Sequence, residues 1–424
     1  MPKLWRIAPH DPAAVAALQN AAGIPPVVAH LLWSRGIVDP ADVRQFLDPK
    51  LTGLRPPELL PGVTAAAQLL CDSARAGRRI TVYGDYDADG MTATAILVRC
   101  LRLLNANVDS YVPHRIDEGY GLNAEALARL ASAGADVVVT VDCGIASLDE
   151  AAIAADLGLT LVVTDHHHLA ATLPRAAAVV HPALPGGNYP FSGLCGAAVA
   201  FKLAWAICQL ASQNQRVSER FRQFLMQALG LAAIGTVADV VPLLDENRIL
   251  VRAGLKALRE FPSAGTSALM RQTNLNDKPR MDGEDLAFTL APRLNAAGRL
   301  GQAEIGVELL VTDDPVRADK LAAYVDELNL QRQSLERSMT RAAEKQARER
   351  FDPSRDAALV LADDQWHAGV VGIVSGRLAE KHAIPCAVVA LDPLGVKPGI
   401  GSARSVAGFN LHAALAGCSE HLEG

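Results

Sequence analysis

Closely spaced carboxylates follow an apolar run near the start of the second fifth of the chain. The segment VYGDYDADGMTATAIL, residues 82–97, places Asp85, Asp87 and Asp89 at every second position. Like charges this close repel, and burying an unpaired carboxylate is costly or forces it to take up a proton. Either water screens these aspartates or a cation binds among them.

Three further segments carry acidic or imidazole groups directly after apolar residues. These groups are Asp142 after VVVTV, then Asp165, His166 and His167 after LVVT, and Asp239 in GTVADVVPL. Carboxylates with imidazole and without thiolate select Mg²⁺ or Mn²⁺ rather than structural zinc. More carboxylates than one ion needs indicate a pair of ions about 3.5–4 Å apart, as in phosphoester hydrolysis.

Each of these features also has an ordinary structural interpretation. An aspartate after a strand is a common helix N-cap, where it accepts backbone N–H bonds. Consecutive histidines can lie in a solvated loop. Four such segments, three of them at strand ends of one predicted sheet, favour the metal interpretation, because bound cations would make the crowded negative charges tolerable.

The elements that must position these groups alternate regularly along the chain. The predicted strands are 79–84, 107–115, 136–142 and 159–165, and the predicted helices are 64–76, 91–104, 123–134 and 147–158. Such alternation predicts an α/β fold, a parallel sheet flanked by helices on both faces. Ligands of these sheets bind beyond the carboxyl ends of the strands, where the acids and histidines fall.

Helical patterns dominate the rest of the chain until a second alternation begins. The predicted elements are short helices at 12–23 and 25–36, two long helices within 194–235, further helices to about 312, a helical connector at 313–351 ended by FDPS, strands at 357–362 and 385–391, and a helix at 370–382. The predicted domains are an N-terminal helical cap at 1–60, a catalytic α/β domain at 61–312, a connector at 313–355 and a second α/β domain at 356–424.

Composition excludes several classes of protein. The net charge of −6 and pI of about 6.0 give no overall basic field, so a polyanionic partner must be held by local basic groups or by metal. The seven cysteines are scattered without CxxC spacing, which predicts reduced, mostly buried thiols and no zinc site built from them. No export signal or apolar run of about 18 residues is evident, so we expect no membrane span and a cytoplasmic location.

Four motifs in a fixed order resemble those of the DHH phosphoesterase superfamily: GDYDADG, VDCG, TDHH and ADVVPL. The segments RIDEGYGLN, LCGAAVAFKL, APRLNAAGRLG and LLWSRGI resemble RecJ-type single-stranded-DNA exonucleases. WHAGVVGIVSGRLAEKH and GSARSVAGFNLHAAL resemble the associated DHHA1 domain. The resemblance runs nearly end to end, and the complete motif set is specific, whereas DHH alone is weak.

This resemblance implies a role for each motif residue. It implies metal ligation by Asp87, Asp89, His166 and Asp239, a bridging role for Asp142, and Asp85 as a ligand or a close neighbour of one. His167 would contact the scissile phosphate or help to protonate it, and Asp165 would orient its neighbours. The implied activity is 5′-to-3′ release of 5′-mononucleotides from single-stranded DNA in repair and recombination, with a single-strand-binding protein and a repair helicase as partners.

Local basic groups have to compensate for the negative net charge if DNA binds. Arg115, Arg280, Arg293, Arg299 and Arg404 lie in segments that the pattern predicts as loops punctuated by Gly or Pro. The resemblance implies phosphate contacts from Arg404 and Ser402. The alternative is that these arginines form surface ion pairs, which contribute little.

The chain departs from the family after SEHLEG, where a Gly- and His-containing motif, the rest of the DHHA1 domain and an OB-fold are expected. The departure predicts a whole metal site with weaker DNA binding. Two other functions stay open: a small-substrate DHH phosphodiesterase acting on short oligonucleotides or cyclic dinucleotides, and a non-catalytic interaction protein. The N-terminal cap and APRLNAAGRLG argue against the small-substrate enzyme.

Overall fold

The structure, a computed structural model, describes residues 9, 11–213, 216–352 and 355–422. Parts of three predictions lie outside these residues. They are the first residues of the predicted cap, the end of FDPS at Pro353 and Ser354, and the last two residues of the predicted second domain. The predicted domain limits remain predictions.

A five-stranded parallel sheet forms the centre of the larger part of the molecule, as predicted. The strands are β1 (Ile80–Gly84), β2 (Val108–Tyr111), β3 (Val137–Val141), β4 (Thr160–Thr164) and β5 (Ala178–Val180). Their order is β2-β1-β3-β4-β5, and each neighbouring pair is parallel. The sequence pattern missed β5, because three residues within an alanine-rich run are too few to show a strand period.

Helices surround this sheet and continue beyond it. They are α1 (Pro12–Ala22), α2 (Pro26–Trp33), α3 (Pro40–Leu47), α4 (Val63–Arg75), α5 (Ala88–Leu103), α6 (Ala124–Ser132), α7 (Leu148–Asp156), α8 (Gly196–Ser212), α9 (Glu219–Ala238), α10 (Asp245–Glu260), α11 (Ala264–Gln272), α12 (Gly283–Asp285), α13 (Ala291–Arg299) and α14 (Ala303–Val311). A π-helical turn at Leu286–Leu290 links α12 to α13. The prediction missed α3, and it began the helix after β1 three residues late, because Asp87 caps α5.

Alternate residues of each strand enter different cores, which is why helices cover both faces. Val137 and Val139 pack with α4, α5 and α8, whereas Val138 packs on the other face with α6 and α7. This is the period-2 exposure of a strand applied to a sheet buried on both sides. Six of the seven cysteines are buried, as predicted, and Cys418 is exposed.

α9 is a long apolar helix that belongs to the larger core. By length and composition it could cross a membrane, with a mean hydropathy of 1.2 over its most apolar window, but 56% of that window is buried within the fold. It packs between α5, α8 and α10. Among the described residues, α1 and α2 pass the same test only if the bent pair is counted as one span. Burial of α9 is what a core helix requires.

One helix of 36 residues, α15 (Pro315–Arg350), joins the sheet region to a second, smaller α/β unit. Leu321, Val325 and Leu328 belong to the first core, and Met339 and Ala343 belong to the second. The remaining elements are β6 (Leu359–Asp363), α16 (Val371–His382), β7 (Cys386–Ala390), β8 (Ile400–Arg404) and α17 (Leu411–Ala416). The predicted helical connector is therefore also a shared core element.

The smaller sheet has the order β6-β7-β8, with β7 and β8 antiparallel. The sequence analysis interpreted the segment of β8 as a loop. After Ile400 its residues, GSAR, are small or polar, so pairing with β7 fixes the strand and no hydrophobic period reveals it.

Candidate metal centre

Acidic groups and one imidazole converge at the carboxyl end of the larger sheet. Asp142 follows β3, His166 follows β4, and Asp239 caps the carboxyl end of α9. The His166 Nε2 atom lies 3.1 Å from Asp142 Oδ1 and 3.7 Å from Asp239 Oδ2. The same nitrogen is 4.0 Å from Asp89 Oδ2. Four distant parts of the chain therefore meet at one point.

Three sets of side chains place their ligand atoms close enough to share an ion. Within each set these atoms lie within 4.8 Å of one another. The first set is Asp85, Asp87 and Asp142, the second is Asp89, His166 and Asp239, and the third is Asp142, His166 and His167. Asp142 and His166 each occur in two sets. The oxygen and imidazole donors of these sets suit Mn²⁺ or Mg²⁺.

Two of these aspartates are also helix caps, so the ordinary interpretation and the metal interpretation apply together. Asp87 Oδ1 accepts hydrogen bonds from the N–H groups of Asp89, at 2.8 Å, and Gly90, at 3.0 Å, at the start of α5. Asp89 accepts from the N–H groups of Gly196, at 2.6 Å, and Ala197, at 2.9 Å, at the start of α8. The N-terminal ends of two helices thus hold both carboxylates in place and offset part of their charge.

Glycine is required where the chain passes closest to the carboxylates. A Cβ atom on Gly196 would lie 2.5 Å from Asp142 Oδ1, and one on Gly235 would lie 2.3 Å from Asp89 Oδ1. Asp142 itself has a left-handed backbone, with φ of 63°. Aspartate tolerates this conformation better than most residues, and here it turns the carboxylate beyond the end of β3.

Burial disfavours the charged form of these aspartates when no cation neutralises them, and it therefore raises their pKa values. Burial, reinforced by the charge of Asp87, raises the pKa of Asp85 to about 8. Burial also raises the pKa of Asp89 and of Asp239 to about 6, and that of Asp142 well above its usual range. Asp85 Oδ1, Asp142 Oδ1 and His166 Nε2 are buried and make no hydrogen bond of good geometry among the described residues, although the last two atoms lie 3.1 Å apart.

Those three atoms are the observation that tests whether a metal fits here. Buried polar atoms normally have partners, and atoms without them require an explanation such as an ion. All three are good ligands for a hard or borderline divalent cation. The residues present therefore fit a metal centre.

His167 is more exposed than His166 and is hydrogen-bonded to Asp165. Its Nδ1 atom lies 2.7 Å from Asp165 Oδ1, and its side chain is 44% exposed. The hydrogen bond with Asp165 raises the pKa of His167. Burial alone would raise the pKa of Asp165, but the hydrogen bonds from His167 and from the backbone lower it. An oriented imidazolium at the mouth of the site can contact a phosphate or donate a proton.

Sequence reasoning missed two side chains that orient this region. The Tyr120 hydroxyl donates to the Asp142 carbonyl at 3.1 Å and lies 3.0 Å from His167 Nδ1. Buried His181 donates from Nε2 to the His167 carbonyl at 2.8 Å, and its Nδ1 accepts from the Ala183 N–H at 3.0 Å. Tyr120 lies in RIDEGYGLN, where nothing in the sequence indicates that its hydroxyl donates to the Asp142 carbonyl. A lone histidine in VVHPAL gives no such signal.

Basic side chains from both units face one another near the acids. Arg299 donates from Nη1 to the Gly369 carbonyl at 3.1 Å, which joins α13 to the loop before α16. Burial, with repulsion from Arg115, Arg332 and Arg404, lowers the pKa of Arg299 to about 10. Arg332 is already paired with Glu336, at 2.5 Å. An anion such as phosphate would relieve the remaining repulsion among these guanidinium groups.

Arg115 contacts an aromatic ring, whereas Arg404 makes a hydrogen bond to a neighbouring serine. Arg115 lies over the Tyr86 ring at 4.6 Å, in a turn as predicted. Arg404 donates from Nη1 to Ser402 Oγ at 3.0 Å, on the face of β8 next to Gly372 of α16. Sequence analysis missed Arg332, because it lies in a helix rich in charged residues.

Three of the predicted loop positions are wrong. Arg293 and Arg299 lie in α13, and Arg404 is the last residue of β8. The proline in APRLNAAGR occupies the first turn of the helix, where it is tolerated, so it did not indicate a loop. Arg293 forms an ion pair with Asp326 at 2.7 Å, whereas Arg280 lies in an exposed bend, as predicted.

Comparison with known proteins gives a consistent result. Residues 79–236 match the DHH family, N-terminal domain. The chain is 39% identical over 401 residues to the single-stranded-DNA-specific exonuclease RecJ of Escherichia coli, covering 93% of this chain and 68% of that protein. It is 39% identical over 421 residues to the RecJ of Bacillus subtilis, covering 99% of this chain and 51% of that protein. The chain therefore spans about half to two thirds of the length of these relatives.

Solved structures of the same kind resemble the whole described fold. The structure of RecJ from Thermus thermophilus in complex with Mn²⁺ matches with a TM-score of 0.79 and 35% identity, over 96% of this chain and 56% of that one. A structure of exonuclease RecJ bound to manganese matches with a TM-score of 0.73 and 38% identity, over 84% of this chain and 85% of that one.

Proposed function

Because this chain belongs to the RecJ family, we propose that it is a metal-dependent exonuclease that hydrolyses single-stranded DNA. The observation that carries the proposal is the convergence of Asp142, His166 and Asp239 on one point. The proposal includes 5′-to-3′ polarity, 5′-mononucleotide products, a cytoplasmic role in repair and recombination, and partners of the kinds that the family resemblance implies.

Two Mn²⁺ or Mg²⁺ ions would be held by Asp85, Asp87, Asp89, Asp142, His166 and Asp239. Bound ions of this kind supply Lewis-acid chemistry that activates water and neutralises charge on a phosphate. These six side chains, which we call the cage, are held in place before any ion binds. Backbone N–H groups fix Asp87 and Asp89, and burial excludes competing water.

The remaining steps belong to side chains around the cage. Asp165 keeps His167 oriented and favours its protonated form, so His167 is positioned to contact the scissile phosphate or protonate the leaving oxygen. Arg115, Arg299, Arg404 and Ser402 would bind phosphates of the strand from the opposite side. A DNA strand bound between the acids and the arginines would favour single-stranded over double-stranded DNA as the substrate, because a duplex is wider and stiffer.

The test is Mn²⁺-dependent degradation of oligonucleotides labelled at either end, single- or double-stranded, from two nucleotides to several dozen. We expect release of mononucleotides from the 5′ end of long single strands. Asp142→Ala is expected to abolish release, and Asp149→Ala, an exposed acid on α7, to leave it unchanged. Activity confined to the shortest substrates would instead favour the small-substrate phosphodiesterase. No hydrolysis at all would favour the non-catalytic interaction protein.

A further inference from the structure

One buried amide ties together two backbone segments that border the metal centre. Asn247, in the first turn of α10, is fully buried. Its Nδ2 donates to the Gly193 carbonyl at 2.5 Å and to the Pro242 carbonyl at 3.1 Å. Two carbonyl acceptors require the NH₂ group on this side, because the amide oxygen would repel both.

Both segments lead directly to side chains of the cage. Pro242 lies three residues after Asp239, and Gly193 lies three residues before Gly196, whose N–H binds Asp89. Asn247 therefore links the segment after Asp239 to the segment that carries the Asp89-binding N–H group. A contact between Cys195 Sγ and Thr236 Oγ1, at 3.4 Å, joins the end of α9 to the same segment before α8.

The loop to which Asn247 donates has an unfavourable backbone conformation. Val240, directly after Asp239, has a φ of 61°. A β-branched residue is a genuine outlier in this left-handed region. Its side chain is 86% exposed, so packing does not impose the conformation. The constraint must come from the backbone on either side, namely the end of α9 and the tethered Pro242.

The first turn of α10, which carries Asn247, is held in place by hydrogen bonds and ion pairs of its own. Glu246, next to Asn247 and fully buried, accepts from Lys202 Nζ at 2.6 Å and from the Arg55 N–H at 2.9 Å. Asp245 accepts two hydrogen bonds from the Arg55 guanidinium, at 2.7 and 2.9 Å. The first turn of α10 is therefore fixed to α8 and to the segment before α4 by groups other than the two hydrogen bonds of Asn247, which we call the tether.

We propose that Asn247 is a positioning residue of the metal centre, which holds Asp239 in register with Asp89 by clamping the strained loop 239–242 to the segment before α8. The inference rests on the proposed function, because it assumes that these acids bind the ions. Groups of this kind, which orient ligands without touching the metal, typically change metal affinity or activity by about 10- to 100-fold when removed.

The test measures Mn²⁺ binding to the metal-free protein by calorimetry, without any nuclease assay. Asn247→Leu keeps the size of the side chain and removes both hydrogen bonds. We expect one Mn²⁺-binding step to weaken by about 10- to 100-fold. Adding Val240→Gly to this variant is expected to recover much of the affinity, because glycine adopts a positive φ without strain. If Asn247→Leu does not fold, Asn247→Ala, which removes the same hydrogen bonds without adding bulk or charge, serves with the same expectation.

Thr266→Ala is the matched control, since it removes the buried hydrogen bond that Thr266 Oγ1 accepts from the Ser263 N–H at the start of α11, a helix that carries none of the clustered acids. It is expected to lower the melting temperature and leave Mn²⁺ affinity unchanged. A folded Asn247 variant that binds Mn²⁺ within about twofold of the parent, or shows no recovery with Val240→Gly, would overturn the tether alone. A parent protein that binds no Mn²⁺ would overturn the metal centre and the tether together.

Discussion

Gly196→Ala places one extra carbon against the central carboxylate of the site. The new Cβ would lie 2.5 Å from Asp142 Oδ1 and 2.6 Å from its Cγ, where ordinary contacts are 3.4–4 Å. Gly196 is the first residue of α8 and its φ is not positive, so alanine suits the backbone there. The substitution therefore tests spacing at the cage without testing backbone freedom.

Two opposing effects set the change in stability. Overpacking a tight site costs about 1–3 kcal/mol, whereas replacing glycine by alanine in a helix stabilises by about 0.5–1 kcal/mol. The net cost is on the order of 1 kcal/mol, which leaves the protein folded. Asp142 must move by about 1 Å to restore normal contact, and a misplacement of that size costs about 100-fold in rate.

The assay compares Mn²⁺-dependent nucleotide release and the melting temperature for the parent and two variants. Gly283→Ala is the matched control, because Gly283 also begins a helix and nothing lies within 4 Å of its added Cβ. We expect about 100-fold slower release for Gly196→Ala alone. Release within about threefold of the parent, with the protein folded, would show that Asp142 does not need this spacing.

Four further substitutions test the charges. The pKa of Asp85 is about 8 in the folded protein against 3.8 for the free group, so metal-free stability is expected to fall as pH rises from about 4 to about 8. Asp85→Asn should remove the contribution of Asp85 to that dependence in thermal denaturation, leave the contributions of Asp89, Asp142 and Asp239, and weaken Mn²⁺ binding; an unchanged pH profile would contradict the assignment. His166→Ala should lower Mn²⁺ affinity in calorimetry, whereas His167→Ala should slow turnover with Mn²⁺ still bound, and the reverse pattern would exchange their roles. Arg404→Ala should raise the apparent KM more for long single strands than for dinucleotides, whereas equal effects would place it off the strand path.

The positions of the clustered acids were predictable because the strand period and the residue types gave independent signals. Val137–Val141 shows a buried strand, and the next residue, Asp142, must then lie at the carboxyl edge of a parallel sheet. The same argument placed Asp85 and His166. These positions depend on local pattern and on topology, and both can be inferred from a sequence.

The supporting contacts were not predictable, because they depend on atomic spacing between distant segments. Nothing in VVHPAL indicates that His181 supports His167, and nothing in DENR indicates that Asn247 reaches Gly193. Arg299 was assigned to a loop because proline and glycine in APRLNAAGR were interpreted as breaks, although Pro292 starts α13 and Gly298 packs against the Tyr86 carbonyl. Tertiary packing overrode the local signal there.

Anomalous diffraction from crystals of this protein soaked in Mn²⁺ tests the central claim most directly. The account predicts two anomalous peaks about 3.5–4 Å apart, with Asp142 between them and His166 at one of them. Peaks elsewhere on the surface, or none among these side chains, would contradict it.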